Sequence, residues 1–266
     1  MSGQMLHQSV LLNEVVKALA PVNGACYLDA TFGNGGYSQA ILEAADCTLF
    51  AIDRDPDAIK RGAQMQAKYA DRFHLAEGCF SDMTSLLKTS LPSFEGLQGA
   101  AFDLGVCSTQ LDQPERGFSF RSDGPLDMRM SKSGQSAADV VMQSDETEIA
   151  RILWEYGEER ASRRIAKAIC GARNEENIHS TSQLASIIRR VMPAKRPGQI
   201  DPATRSFQAL RIFVNRELDE LTAGLVAVER LLRPGGILVV VSFHSLEDRI
   251  VKRFLSARSQ HAAQPS

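Results

Sequence analysis

The sequence has few of the features that would take it out of the ordinary globular class. Its longest unbroken apolar run, Ile237 to Val241, is five residues. A bilayer span needs roughly 20, so no membrane segment is expected. Met1 to Glu14 carries polar residues throughout and contains no signal-peptide core. Cysteine is sparse: Cys26, Cys47, Cys79, Cys107 and Cys170 are odd in number and form no Cys-x-x-Cys pair. That pattern excludes a disulfide framework or a zinc ribbon and reads as reduced thiols in a cytoplasmic protein. The five histidines show no metal-ligand spacing, so no metal is expected. There are no internal repeats and no low-complexity tracts. The net charge of −2 does not by itself suggest nucleic acid.

What is present is uneven. Arg151 to Arg216 holds 13 Lys and Arg against 6 Asp and Glu, whereas the rest of the chain holds 17 against 26. This asymmetry suggests a basic face on an otherwise acidic body, although arginine-rich helix surfaces also serve solubility alone. At 266 residues the chain has room for a full α/β domain and a smaller second one.

The first hundred residues alternate between strand-like and helix-like segments. Val10–Leu19 reads as a helix and Ala25–Ala30 as a strand, followed by the glycine-rich Gly33-Asn34-Gly35-Gly36. Tyr37–Ala45 is helical, Leu49–Ile52 a strand ending at Asp53, and Pro56–Tyr69 a helix with proline in its first turn. Phe73–Ala76, Asp82–Thr89 and Gly99–Leu104 continue as strand, helix and strand. This alternation predicts a parallel sheet covered by helices on both faces. Then the pattern breaks. Asp112–Met130 is loop-like, Ala137–Met192 reads as several amphipathic helices, and Pro193–Pro202 as a linker. Ala203–Leu232 reads as one long helix, which Arg233-Pro-Gly-Gly236 turns into a last strand, Ile237–Val241. Residues 1–112 and 203–266 are thus expected to form a sheet domain, and residues 113–202 a helical insertion after the fourth strand.

Glycines at the junction of a first strand and a first helix let the backbone approach a ligand closely, and the helix N-terminus offers free N–H groups. Asp53, 20 residues after Gly33, closes the second strand, where a carboxylate can accept both hydroxyls of a ribose. So far NAD, FAD and S-adenosylmethionine all fit, as does a tight turn with a capping acid. Three details favour S-adenosylmethionine. The Gly-x-Gly-Gly spacing has no third glycine three residues on, Asp29 suits a ligand with a charged amino-acid end, and Leu232-Arg-Pro-Gly-Gly236 resembles the turn before the fifth strand of class I methyltransferases.

Longer stretches are more specific: His7-Gln-Ser-Val-Leu-Leu-Asn-Glu14, Ala51-Ile-Asp-Arg-Asp-Pro56, Asp103-Leu-Gly-Val106 running on to Gln110-Leu-Asp112, Glu115-Arg-Gly-Phe-Ser-Phe120, Asp123-Gly-Pro-Leu-Asp-Met-Arg-Met130, Tyr156-Gly-Glu-Glu-Arg160, Pro202 to Arg211, and Ser242-Phe-His-Ser-Leu-Glu-Asp-Arg249. Together they resemble the MraW type, the ribosomal RNA small subunit methyltransferase H family, from His7 to about Leu255. That resemblance implies a class I (Rossmann-like) methyltransferase sheet carrying an inserted helical domain, and N4-methylation of a decoding-region cytidine in small-subunit ribosomal RNA. It places S-adenosylmethionine on Gly33, Gly35, Gly36 and Tyr37, the ribose on Asp53 and the adenine on Phe80, with Asp103 and Gln110 where cofactor meets substrate. Tyr37 stands where the family commonly has His, and Cys107 where it commonly has Ser. Family members usually continue beyond the position of Ser266 with a segment that supplies the last strands, so a shortened sheet is expected here.

Methyl transfer from a sulfonium is an in-line displacement, in which the protein aligns the groups and excludes water. A cytosine amine is a poor nucleophile, and an acceptor for its hydrogen localises the lone pair. Asp103, Ser242 and His244 are the candidate acceptors, with Phe243 to stack on an unpaired or flipped base. Blander readings stand beside these: Asp103 serving only the cofactor's amino end, His244 anchoring its loop, and Glu247 and Asp248 forming the acidic first turn of a helix. Arg163, Arg164 and Lys167, with Arg189, Arg190, Lys195 and Arg196, are the candidate phosphate contacts. Trp154 and Tyr156, beside Ile152 and Leu153, read as core rather than as base-stacking residues.

The expected partner is small-subunit ribosomal RNA, naked or within a 30S particle. No DNA is expected, since no Asn/Asp-Pro-Pro-Tyr/Phe motif is present. A non-catalytic or truncated relative that binds S-adenosylmethionine or RNA in ribosome assembly is the alternative. The oligomeric state is left open, a dimer included.

Overall fold

Short runs of consecutive apolar residues make the strands of this protein apolar on both faces, and the computed structural model, which describes residues 9–193 and 198–262, shows both faces covered. Two units are distinguished: Met1–Gly105 with Leu218–Ser266, and Val106–Glu217.

The first unit opens with α1 (Leu12–Leu19), β1 (Cys26–Asp29), α2 (Gly36–Ala44), β2 (Thr48–Asp53), α3 (Pro56–Tyr69), β3 (Phe73–Glu77), α4 (Met83–Ser90) and β4 (Leu97–Asp103). The second unit contributes α5 (Ser108–Asp112), α6 (Ala137–Gln143), α7 (Glu146–Gly157), α8 (Ser162–Glu175), α9 (Thr181–Val191) and α10 (Thr204–Asn215). The chain then runs through α11 (Glu217–Leu231), β5 (Leu232–Val241) and α12 (Ser245–Ala262).

All five strands are parallel, in the order β3-β2-β1-β4-β5. Successive residues go to opposite faces, as strand geometry requires. Tyr27, Leu49, Ala51 and Ala101 pack with Val15, Leu19, Ile41 and Leu42 on one side. Leu28, Phe50, Ile52, Ala100 and Phe102 pack with Met83, Leu87, Leu221, Leu225 and Val228 on the other. A parallel sheet needs both covers because its faces are apolar throughout. Strand order reverses direction at β1, so the carboxyl ends of β1 and β4 flank the switch point, the usual ligand position in such sheets.

Two sequence expectations are corrected. The helix expected over 203–232 is two: α10 ends at Asn215 because Arg216 turns left-handed, φ 51, and its N–H caps Ile212 O and Phe213 O. The side chain of Asn215, 2% exposed, holds that break by donating to Met128 O at 2.7 Å and accepting from Met130 N at 2.8 Å. Likewise the turn expected at Arg233–Gly236 lies within β5. Leu232 pairs with Leu97 and Ile237 with Gly99, so the intervening residues bulge from the ladder.

The second unit, which follows β4, is helical, and its core is built from Ile149, Ile152, Leu153, Ile165, Ile169, Leu184, Ile188, Phe207 and Leu210. The segment Asp112–Met130 has little regular structure but is not a surface loop: Phe118, Leu126, Met128 and Met130 belong to the same core. Arg116, 5% exposed, donates to Arg129 O and Met130 O, and Asp127 accepts from Arg129 at 2.9 and 2.6 Å.

Candidate active site

The carboxyl ends of β1, β2 and β4 each finish on an aspartate, and β5 on Val241, register partner of Asp103. The three acids are in different states, and the differences come from their neighbours.

Asp29 is 1% exposed. One oxygen accepts from Thr31 N at 3.1 Å and the other from Ser38 Oγ at 2.7 Å. Burial pushes its carboxyl up to about 6, against the pull of those hydrogen bonds. The sequence reading offered Asp29 to a ligand's amino end. Instead it turns inward and ties the glycine turn to the first helical turn of α2.

Asp53 closes the loop from the other side. Its Oδ2 accepts from Gly33 N at 2.7 Å and its Oδ1 from Asp55 N at 2.8 Å. Burial raises its pKa, and those two N–H groups oppose the rise. Each carboxylate oxygen keeps a second lone pair, so acceptor capacity remains for a hydroxyl. Gly35 precedes α2 with φ 78, a left-handed conformation that suits glycine. A Cβ there would stand 2.8 Å from Met65 and 2.9 Å from the Phe32 ring. At Gly36 a Cβ would meet Ser9 Oγ at 2.0 Å. The backbone is therefore bare where the N-terminus of α2 opens, and its first-turn N–H groups have no carbonyl four residues back.

Tyr37 is 3% exposed and its hydroxyl donates to Val10 O. Burial, then Asp103, push that hydroxyl upward in pKa. Only the backbone of Tyr37 can therefore serve a ligand, not the hydroxyl that the sequence reading also offered. Phe80 is half-buried and meets Phe102 edge-on, centroids 5.2 Å apart. Gly224 on α11 makes room for it, since a Cβ there would lie 2.7 Å from that of Phe80.

Asp103 differs from the other two. Its N–H donates to Thr31 Oγ1 at 2.7 Å, but its buried Oδ1 has no hydrogen-bond partner. Burial, with Asp29 and Glu247 as like charges, lifts its carboxyl to about 7. A buried carboxylate oxygen without a donor is costly, and clefts that bind ligands are where such groups collect.

Past β5, Ser242 is half-buried and Phe243 is 55% exposed, 3.7 Å from where a Cβ of Gly105 would be. His244 Nε2 lies 3.0 Å from Glu247 Oε1, yet neither ring nitrogen makes a well-formed hydrogen bond. Glu247 is 2% exposed and accepts from Phe243 N at 2.9 Å, which fastens the strand-end loop to α12. Its place in the first turn suits the helix dipole. Gln110 belongs to the second unit, where it is buried and its side-chain oxygen accepts from Cys107 N at 3.0 Å.

Other candidates divide. Arg163, Arg164, Lys167 and Arg190 are exposed. Arg189 is committed, pairing with Asp201 at 2.9 Å and stacking on Phe120. Lys195 and Arg196 lie outside the described residues, as does His7. Tyr156 packs on Phe213 as expected of core, but Trp154 is 58% exposed, against the reading that assigned it there. The signal was available: Ile149, Ile152, Leu153 and Tyr156 already fill the inward stripe at helical spacing, and position 154 falls off it. The inward turn of Asp29 toward Ser38 left no mark in the sequence, because nothing in the spacing says which way a strand-end acid points.

A profile of the MraW methylase family matches residues 4–266. The chain belongs to that family. Among curated proteins, the ribosomal RNA small subunit methyltransferase H of Paramagnetospirillum magneticum is 58% identical over 98% of this chain and 81% of its own. That of Acidiphilium cryptum is 58% identical over the whole of this chain and 84% of its own. A crystal structure of an rRNA methylase from Streptococcus thermophilus is 17% identical, with a TM-score of 0.30 over 46% of this chain and 72% of that one. As a MraW-family methyltransferase, the chain carries the parallel five-stranded α/β sheet described above.

Proposed function

We propose that this family member transfers a methyl group from S-adenosylmethionine to N4 of a cytidine in the decoding region of small-subunit ribosomal RNA. The observation that carries the reading is Asp103: a carboxylate at the carboxyl end of β4, its Oδ1 buried and unpartnered, its pKa near 7. The names of the curated relatives support the substrate class.

The residues fit the cofactor. A bare glycine turn with left-handed Gly35 suits a ligand lying against the N-terminus of α2. Gly33, Gly35, Gly36 and the Tyr37 backbone would hold its amino-acid end, Asp53 its ribose and Phe80 its adenine, with Asp103 toward the sulfonium and the base. Bound there, S-adenosylmethionine supplies an electrophilic methyl group.

The remaining work belongs to the side chains. Asp103, when ionised, accepts a hydrogen bond from the cytosine amine and so keeps the nitrogen lone pair out of the ring. As the C–N bond forms, the same oxygen can take the amine proton, and a pKa near 7 suits both states of the cycle. Ser242 and His244, on the loop after β5, are the alternative acceptors and orient the base. Phe243, mostly exposed, offers it an aromatic face. Glu247 keeps this loop in place through Phe243 N.

The direct test compares wild type with Asp103→Ala for S-adenosylmethionine binding by calorimetry and for methyl transfer to small subunits. Binding retained with transfer abolished is expected. Full transfer by the variant, with normal cofactor affinity, removes Asp103 from the mechanism.

A further inference from the structure

Trp154 is the single tryptophan of the chain and is 58% exposed. Tryptophan is usually well buried, because its large apolar ring gains most from leaving water. Here the inward positions of α7 are taken by Ile149, Ile152 and Leu153, each 0% exposed, and the indole lies along the open side of the helix. It lines a groove of about 880 Å³ between α7 and the start of α8, wholly within the second unit. Thr147 and Ala150, two turns and one turn before Trp154, are small and leave the ring accessible.

The other side of the groove is cationic. Arg160, Arg163 and Arg164 line it and are exposed. Among the described residues none of the three has an ion-pair partner. The Arg164 guanidinium reaches the uncharged Met192 Sδ, at 3.5 Å. Arg151, also in the lining, is by contrast neutralised by Glu148 and Glu155. Glu146 is the one carboxylate in the lining. None of the other large exposed apolar residues lies in the groove, so an apolar protein surface would find a single ring and a ring of charge. A polyanion with flat faces finds both of its needs met: stacking on an aromatic side chain and phosphate contacts from free cations.

We propose that this groove is a docking site for single-stranded RNA, with one base stacked on Trp154 and adjacent phosphates against Arg160, Arg163 and Arg164. It rests on the ribosomal RNA reading given above and specifies where, in the helical unit, the nucleic acid is gripped. Cation density at Arg163 and Arg164 is legible in the sequence, whereas base stacking by Trp154 is there ranked below a place in the core, which its 58% exposure overturns.

The lone tryptophan makes the test direct, since all indole emission comes from position 154. The full chain is titrated with a single-stranded RNA decamer at low salt, and affinity is read both from indole emission and from the anisotropy of end-labelled RNA. Saturable quenching is expected. Trp154→Ala, which removes a mostly exposed ring and is expected to fold, should weaken the anisotropy affinity about 5- to 100-fold, raise KM for small subunits, and be largely rescued by Trp154→Phe. Arg160→Glu with Arg163→Glu should weaken binding and flatten its salt dependence by about one to two in log–log slope. Absence of quenching, with unchanged RNA affinity and KM in Trp154→Ala, overturns the proposal. Quenching by RNA-free small-subunit proteins but not by RNA overturns it in favour of a protein partner. If wild type labels ribosomal RNA while Trp154→Ala behaves as wild type, the docking site alone fails. If wild type labels no RNA yet the decamer quenches Trp154, the docking site stands and the methylation reading falls.

Discussion

Replacing Asp103 by Asn removes a buried charge and keeps the shape, so it separates what this carboxylate does for stability from what it does for chemistry. In the folded protein its pKa is about 7, against an ordinary 3.8, because burial and the charges of Asp29 and Glu247 disfavour ionisation. Between about pH 4 and pH 7 folding therefore takes up a proton, and stability falls as pH rises through that window. Below it the group costs nothing, and above it the cost is constant. A rise from 3.8 to about 7 corresponds to at most about 4 kcal/mol. Solvent reaching part of the carboxyl lowers this to about 1–3 kcal/mol. Asp103→Asn should thus be more stable than wild type by that amount at pH 8 and indistinguishable from it near pH 4. Asp29, raised to about 6 by burial, adds a slope of the same sign in both proteins, so the difference between them is the quantity to read. Urea unfolding followed by circular dichroism at half-unit pH steps provides it. Methyl transfer in the variant should fall at least about a hundredfold, and wild-type kcat/KM should rise with pH up to about 7 and then level. A variant less stable than wild type at pH 8, or one that transfers methyl normally, would refute the reasoning.

Gly35→Ala places a Cβ at φ 78 and 2.8–2.9 Å from Met65 and Phe32; a loss of about 1–3 kcal/mol in stability and at least tenfold weaker cofactor binding are expected by melting and calorimetry. Asp53→Ala leaves Gly33 N and Asp55 N without their acceptor, and should weaken S-adenosylmethionine binding about tenfold or more with a stability cost of about 1–3 kcal/mol; unchanged affinity would restrict Asp53 to closing the turn. Asn215→Ala orphans Met130 N and Met128 O in a dry setting and should destabilise the second unit by about 2–4 kcal/mol, read as lost hydrogen-exchange protection in α10. Wild-type affinity for small-subunit RNA should fall steeply between 50 and 200 mM salt, and binding indifferent to salt would count against a phosphate-led interface.

The sheet was legible because short continuous apolar runs alternating with helical segments, and glycine-marked turns, are local features. Tyr27 and Leu28, or Phe50 and Ala51, go to opposite faces whatever the rest of the chain does. The end of α10 was not legible, since Asn215-Arg216-Glu217 contains no glycine or proline. The break is held by Asn215 reaching Met128 and Met130, 87 and 85 residues away in sequence. The order of acids after β1, β2 and β4 could be read, but their roles could not. Asp29 is held by Ser38, Asp53 by Gly33 and Asp55, and only Asp103 keeps an unpartnered oxygen, a distinction made by tertiary neighbours. Trp154 reads as core because proximity to Ile152 and Leu153 outweighs its angular position on α7, and its exposure corrects that reading.

The central claim is tested most directly by incubating the protein with methyl-labelled S-adenosylmethionine and small ribosomal subunits that lack the modification, then digesting the RNA and identifying the labelled nucleoside. Label in N4-methylcytidine is predicted. Label in any other nucleoside, or none while S-adenosylmethionine binds normally, would contradict the account.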